Sequence, residues 1–592
     1  MKSLRILATL TLAAITLAPI AISPQAKAAT SKSDKTSNSS DPWWKHAVFY
    51  EIYPRSFQDS NGDGTGDLNG ITARLDHLKA MGVDAIWIAP CYPSPQVDFG
   101  YDISDYENID PQYGTLADFD RLVAEAKKRD IRIIMDMVLN HTSDKHAWFV
   151  ESASSKTNPK RDWYVWRDGK VGADGKMEPP NNWLSSFGHS AWKYDPTTKQ
   201  YYYHKFYAEQ PDLNWRNPAV EKAMFDSMKF WLDRGVAGFR LDAIDTLLED
   251  ESLADEAYVL DKTGDIEMTP AGDKRVDSKK TNNLPEVHDI IKRMRAMVAS
   301  YPGDRVLIGE TYLPNIQELD KWYGGAAKDE LNLPMDMQVG FINHLDVAKF
   351  RERLTEAQTG VHDSQPLFIF DNHDNPRMDR YCTEKAGAAQ GANCDDIQKM
   401  LTTILFTSRS AALMYYGDEI GMVTTPPTRV EDVKDPVGRT AWPKFVGRDG
   451  ERTPMQWDTS KDAGFSTANV TWLPIPPSFV TVNVKVEDGE ETSLLKYYKH
   501  LIALRRKNPA LHSGRMEMLT TTADASVLAY TRTEGPHKVL VLCNFTGTPQ
   551  AFAITGHGAA AKTLAASFPS EPSQLLKSIN LPPYGAYVGE IK

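Results

Sequence analysis

Two hydrophobic rhythms alternate along most of the chain. Short apolar runs bounded by polar residues read as strands buried on both faces. They fall at 47–53, 85–89, 132–138, 238–242, 305–310, 331–337, 367–373 and 411–416. Between several of them the apolar positions follow helical spacing, as at Leu75, Leu78 and Met81 within 71–81, and again over 116–129 and 218–234. This repetition of strand and helix predicts an α/β fold with a parallel sheet and right-handed crossovers. The rhythm breaks between 142 and 210, a stretch rich in Trp, Tyr, Pro, Gly and charge without a clear period. A loop that long inside a compact domain predicts a subdomain or a lid. Beyond about residue 509 the pattern becomes short alternating runs, such as 527–532 and 538–544, which predict a small antiparallel β domain.

Polar residues gather at the C-terminal ends of four of these runs. The segments end at His141 (Asp-Met-Val-Leu-Asn-His), Asp242 (Gly-Phe-Arg-Leu-Asp), Glu310 (Val-Leu-Ile-Gly-Glu) and Asp374 (Asp-Asn-His-Asp). A parallel barrel builds its active site at such strand ends. Carboxylates, histidines and an arginine converging on one mouth suit glycosidic bond cleavage. Arg240 lies two residues before Asp242 and shares its face of the strand, so its guanidinium is expected to hold Asp242 ionised. Glu310 has no cation beside it in sequence. Desolvation and nearby carboxylates should raise it toward working pH.

Composition narrows the partners. The 592 residues carry a formal charge of -12, which argues against nucleic acid. No Lys/Arg block suggests an anionic membrane patch. The N-terminus, with Lys2 and Arg5, an apolar stretch 6–22 and Ala26-Lys27-Ala28, predicts a signal peptide over 1–28. Export, to the medium or the periplasm, follows as an expectation, with no membrane attachment after cleavage. Residues 29–41 read as a polar, disordered linker. Of the four cysteines, Cys382 and Cys394 flank an Ala/Gly-rich loop, where a disulfide and two free thiols both remain open. Cys91 and Cys543 sit in apolar surroundings and read as buried small hydrophobes.

The segment 59–67 (Asp-Ser-Asn-Gly-Asp-Gly-Thr-Gly-Asp) spaces oxygen ligands at alternate positions. It resembles the start of a calcium loop but lacks the EF-hand's twelfth-position Glu, where Gly70 stands. The expected ligands of a structural Ca2+ are Asp59, Asn61, Asp63, Asp67 and the carbonyl of Thr65. Mg2+ would demand tighter octahedral geometry, and the plain alternative is an Asp/Gly turn.

In order, the four strand-end segments resemble the four signature regions of the α-amylase superfamily, glycoside hydrolase family 13. Gln210-Pro211-Asp212-Leu213-Asn214 is similar to its fifth region. The segments 416–421 and 452–458 resemble the α-glucosidase and oligo-1,6-glucosidase branch. The resemblance runs from about Trp43 to the C-terminus. It implies a (β/α)8 TIM barrel (42–141 and 211–509), an inserted domain after strand 3 (142–210) and a C-terminal β domain (510–592). It also implies roles: Asp242 as nucleophile, Glu310 as acid/base and Asp374 as transition-state stabiliser, with His141 and His373 donating to sugar hydroxyls. Asp98 is implied to pair with Arg452 and close the pocket, Tyr101 to stack on the sugar, and Arg377 to be a further cation near the site. A pocket closed at one end implies exo action on short oligosaccharides. Ala243 accompanies α-1,4 preference in that branch, where Val accompanies α-1,6. The expected activity is therefore an exo-acting, retaining α-glucosidase. The rivals are a glucosyltransferase or isomerase on the same site, and a barrel that binds sugar without catalysis.

Overall fold

Eight parallel strands close into a barrel in the computed structural model. The structure describes residues 41–592 apart from 174, 521, 522, 524 and 557. The expected signal segment and all but the last residue of the expected linker lie outside the described residues. The barrel strands are β1 (Val48–Ile52), β2 (Ala85–Ile88), β3 (Arg132–Val138), β4 (Gly238–Asp242), β5 (Val306–Gly309), β6 (Leu333–Asp336), β7 (Leu367–Phe368) and β8 (Ala411–Tyr415). Each pairs with its neighbours in chain order, and β1 closes the ring on β8. Side-chain alternation sends Phe49, Ile134, Ile308, Leu333, Leu367 and Leu413 into one apolar cluster. Their neighbours Tyr50, Ile133, Leu307, Phe368 and Ala412 join another, which includes helix residues. Both strand faces are thus buried, which is why these strands read as continuous apolar runs.

Two expected elements differ in a way that matters. The helix expected at 71–81 is two helices, Leu68–Ala73 and Leu75–Met81. The first starts early because the Asp67 carboxylate caps it, accepting from the Gly70 amide at 2.8 Å. The strand expected over 367–373 stays in the ladder only at Leu367–Phe368. The chain then turns, with Asn372 bridging to Asn375, and this turn presents His373 and Asp374.

After β3 the chain makes a small three-stranded antiparallel sheet from Trp166–Arg167, Gln200–Tyr203 and Trp192–Asp195. Buried Trp183, Trp192 and Tyr203 form its core. A second excursion follows β4. Residues 243–286 carry paired bridges (Tyr258 with Val276, Leu260 with Ile266, Met268 with Lys274) and lean on the first insert. There the Asn182 side chain donates to the Glu256 carbonyl and the Trp183 indole to the Ala254 carbonyl. The C-terminal region forms a six-stranded sheet with antiparallel pairings, running from Arg515–Met518 to Ala586–Ile591, beside a two-stranded one. Cys382 and Cys394 are joined by a disulfide, their Cα atoms 5.2 Å apart. Cys91 and Cys543 are free and buried. Among the described residues no helix is long and apolar enough to cross a membrane.

Candidate active site

The C-terminal ends of the strands open into a cavity of about 1030 Å³, lined by Asp98, Tyr101, His141, Asp242, Ala243, Glu310 and Asp374 among others. Register explains how two of the carboxylates meet. Gly309 of β5 lies beside Leu241 of β4, and the Glu310 amide donates to the Leu241 carbonyl at 3.0 Å. Asp242 and Glu310 therefore leave adjacent strands at one level.

Arg240 ties them together. Its Nη1 donates to Asp242 Oδ1 at 2.7 Å, and its Nη2 lies 2.8 Å from Glu310 Oε2. The same guanidinium rests on both oxygens of Asp136 at 3.0 Å and lies over the Trp87 ring. The cation absent from Glu310's sequence neighbourhood is thus present in space, one strand away. Burial raises Glu310, against the pull of Arg240 and with help from Asp242 and Asp374. Asp242 departs from expectation. Burial pushes it up to about 7, Arg240 opposing and Asp136 and Asp374 adding to the push. Arg240 orients Asp242 but does not by itself keep it in the ordinary carboxylate range.

Asp374 sits in the opposite environment. Burial alone would raise it, but His373, Arg448 and Arg452 hold it well below the usual range. His373 Nε2 lies 3.1 Å from Asp374 Oδ2, and Arg448 Nη1 and Arg452 Nη2 reach Oδ1 at 2.8 and 2.7 Å. His373 is wholly buried. Its Nδ1 meets Glu51 at 2.6 Å, its Nε2 meets the Tyr101 hydroxyl at 2.7 Å, and the Tyr101 ring stacks on it at 5.3 Å. Burial would lower His373, but Asp374 and Glu51 win and push it up to about 9. It is a buried imidazolium clamped between carboxylates, set behind the cavity wall. Tyr101, which stacks one ring face on His373, also lines the cavity. His141 does line the cavity. Its Nε2 donates to the Tyr101 carbonyl at 3.1 Å, and burial lowers it to about 4, so it is neutral at working pH.

Two expected arginine positions are corrected. Asp98 pairs with Arg448, whose Nη2 donates to Asp98 Oδ1 at 2.9 Å, and not with Arg452. Arg452 instead donates to the His373 carbonyl and to Asp374, so it braces the turn that carries them. Arg377 points away from the cavity. It donates to the Tyr416 and Glu451 carbonyls and packs on the Tyr415 and Tyr416 rings. Gln210 steadies Asp98 from the other side, at 3.2 Å.

Sequence reading also missed much of the wall. Thr269, Pro270 and Arg275 come from the excursion after β4, and Ala441, Phe445 and Arg448 from the stretch after β8. Phe187 and Phe206 bring the first insert into the same wall. The one signal for Arg448 was a second Arg four residues before Arg452.

At 59–67 the donors are oxygens, the chemistry a hard cation takes. Asp59 accepts the amides of Asn61, Gly62 and Gly64 and the Ser466 hydroxyl. Asp67 accepts from Ser60 and Gly70, and Asp63 from Asn61 and Thr65. Both Asp63 oxygens and one of Asp67 accept a single bond and keep a second lone pair, whereas both Asp59 oxygens and the other of Asp67 already accept two, and among the described residues no three His, Cys, Asp or Glu side chains are gathered as a metal-holding group.

The α-amylase catalytic-domain family model matches residues 51–514, and the C-terminal domain model of the α-amylase SusG matches 527–588. The chain belongs to the α-amylase superfamily, glycoside hydrolase family 13. A probable α-glucosidase of Rhizobium meliloti is 40% identical over 523 residues, covering 87% of this chain and 92% of its own. An oligo-1,6-glucosidase of Parageobacillus thermoglucosidasius is 37% identical, covering 93% and 99%. The crystal structure of a trehalulose synthase from Pseudomonas mesoacidophila superposes with a TM-score of 0.83 at 34% identity, covering 94% of this chain and all of that one. This glycoside hydrolase therefore carries the family's barrel with its C-terminal sheet.

Proposed function

We propose that this glycoside hydrolase is an exo-acting, retaining α-glucosidase that releases terminal glucose from short oligosaccharides. The observation that carries the reading is Arg448, which joins Asp98 to Asp374 and so sets a charged wall beside the three carboxylates. A chain end fits against such a wall; a chain running on through it does not. In the reaction Asp242 attacks the anomeric carbon while the Glu310 proton passes to the departing glycosidic oxygen. Water then attacks the glucosyl–Asp242 ester, giving its proton to Glu310 and freeing Asp242. Retention needs the two carboxyl groups only ~5 Å apart, and their contacts to two nitrogens of one guanidinium support that spacing. The anionic Asp374 would stabilise the positive charge that develops on the sugar.

Ala243 supports α-1,4 preference, since its small side chain lines the cavity next to the acid. A second reading, glucosyl transfer or isomerisation, is favoured by the likeness to trehalulose synthase. The two differ only in whether water or a sugar accepts the glucosyl group. Maltose, isomaltose, sucrose, trehalose and starch, with products identified, separate them. Glucose from maltose ahead of isomaltose, with starch attacked slowly, supports the first reading; an isomer of sucrose as main product overturns it. We also propose a structural Ca2+ held by Asp59, Asn61, Asp63, Asp67 and the Thr65 carbonyl, and export through the 1–28 segment. The Cys382–Cys394 bond suits an oxidising compartment.

A further inference from the structure

Two arginines are buried where the helix Cys394–Thr407 turns toward β8 and the C-terminal sheet meets that turn. Arg505, from the helix Leu494–Lys507, is 2% exposed, and Arg532, from the strand Val527–Glu534, is wholly buried. Their hydrogen bonds go to backbone carbonyls. Arg505 Nη1 donates to the Phe406 and Ser408 carbonyls at 3.1 and 3.2 Å, and its Nη2 to that of Ser410. Arg532 Nη1 donates to the Thr407 carbonyl at 2.7 Å, and its Nε to that of Gly514 at 3.0 Å. Among the described residues neither guanidinium pairs with a carboxylate; Asp84, whose charge reaches Arg505, is held by Arg506 at 2.7 Å and by the Val48 amide at 2.9 Å. Buried charges are ordinarily paired.

Donors and charge are both left over. Arg532 Nη2, Arg505 Nε and the Ser410 hydroxyl are buried without a hydrogen-bond partner. A helix C-terminus carries about -0.5 charge, so the carbonyls that end Cys394–Thr407 leave a surplus of about +1.5 from two guanidinium groups. Burial pushes Arg505 down to about 10 against the pull of Asp84, and burial and the charge of Arg505 push Arg532 down to about 9. Arg409, on the same turn, adds to the positive field at Arg532.

We propose that Arg505, Arg532 and Ser410 hold a small monovalent anion, chloride in ordinary solvent, at the seam between the barrel and the C-terminal sheet. One negative charge brings a surplus of about +1.5 close to neutrality, and a halide accepts from N–H and O–H donors on several sides. Thr407, Ser408 and Ser410 are buried too, which suits a bare halide and not a hydrated ion. The anion ties the helix Leu494–Lys507, the turn before β8 and the strand Val527–Glu534 into one unit. None of these residues lines the catalytic cavity, so its effect falls on stability and not on turnover.

Bromide replaces chloride and scatters anomalously, so crystals of the whole enzyme grown in bromide test the site directly. One anomalous peak touching both Arg505 and Arg532 is expected; no peak there, or water in its place, overturns the proposal. Melting curves at constant ionic strength, with gluconate exchanged for chloride, give the readout in solution. The wild type should melt higher in chloride, and the rise should saturate, as for a ligand held by the folded state alone. Arg532→Met should lose the rise. Arg506→Met, which removes the exposed neighbour paired with Asp84, should keep it. An equal rise in Arg532→Met, or a bromide peak with no rise in the wild type, overturns the proposal. If Arg532→Met does not fold, the bromide peak and the wild-type rise decide between them.

Discussion

Arg448 and Asp98 form an ion pair at 2.9 Å across a sequence separation of 350 residues. The same guanidinium holds Asp374 at 2.8 Å and Asp435 at 2.9 Å. One side chain therefore joins the loop after β2, the turn after β7 and the stretch after β8.

Replacing Arg448 with Ala should leave these buried carboxylates without their shared partner. Removing one member of a buried charge pair costs ~2–5 kcal/mol, so kcat/KM should fall at least about thirty-fold. Lys should rescue little, because a point charge cannot serve several carboxylates in fork geometry. Steady-state kinetics of both variants check this. Retention of full activity in the alanine variant would remove the pair from the substrate wall.

Asp242 should set the acid limb of activity. As the proposed nucleophile it would attack only when ionised, and burial places it at about 7. As pH falls through that value the nucleophile is protonated, so kcat/KM should drop toward tenfold per pH unit. Asp136→Asn removes a negative neighbour and frees Arg240 for Asp242, so the limb should move to lower pH. Asp242→Ala should abolish turnover while the fold persists, checked by circular dichroism beside the pH–rate profile.

His373 ties stability to pH in the basic direction. Its folded value is about 9, above the ~6.5 of an unfolded histidine. Its contribution is full below about 6.5 and lost as pH rises through about 9, and amounts to ~3 kcal/mol at most. The stability gap between wild type and His373→Gln should therefore narrow between pH 6 and pH 9.5. Denaturant titrations at both values measure it, and a constant gap would show that the imidazolium is not formed.

Chelation should lower the melting temperature without removing a catalytic group. A cation at a hundred times its Kd adds ~2.7 kcal/mol to the folded state. Melting curves in excess chelator, then with Ca2+ or Mg2+ restored, test this. Identical curves would leave 59–67 as a turn held by its own hydrogen bonds.

The Cys382–Cys394 bond closes a short loop, a sequence separation of 12. Crosslinks over ~15 residues give ~3 kcal/mol in the chain-entropy view. Cys382→Ser with Cys394→Ser should melt earlier and keep kcat, since neither residue lines the catalytic cavity.

The barrel was legible because strands buried on both faces leave unbroken apolar runs. The carboxylates were legible because they end those runs. Contacts between strands were not. Nothing in Val-Leu-Ile-Gly-Glu says that Glu310 will face Arg240, since register across β4 and β5 belongs to the closed ring. Arg448 and Arg452 carry the same side chain four residues apart, and only the path after β8 decides which reaches Asp98. The excursion after β4 has no hydrophobic period, because isolated bridges and polar contacts to the first insert hold it, and so its part in the wall stayed hidden.

Ala243 adopts left-handed backbone angles (φ 43°, ψ 39°), and its amide donates to Glu310 Oε2 at 3.0 Å. A β-branched residue fits that conformation poorly, so exchanging Ala for Val would tend to swing the peptide that fixes the proton donor. The backbone at Ala243 and the seating of the Glu310 carboxyl are thus geared to one peptide unit, and neither is free to be adjusted alone.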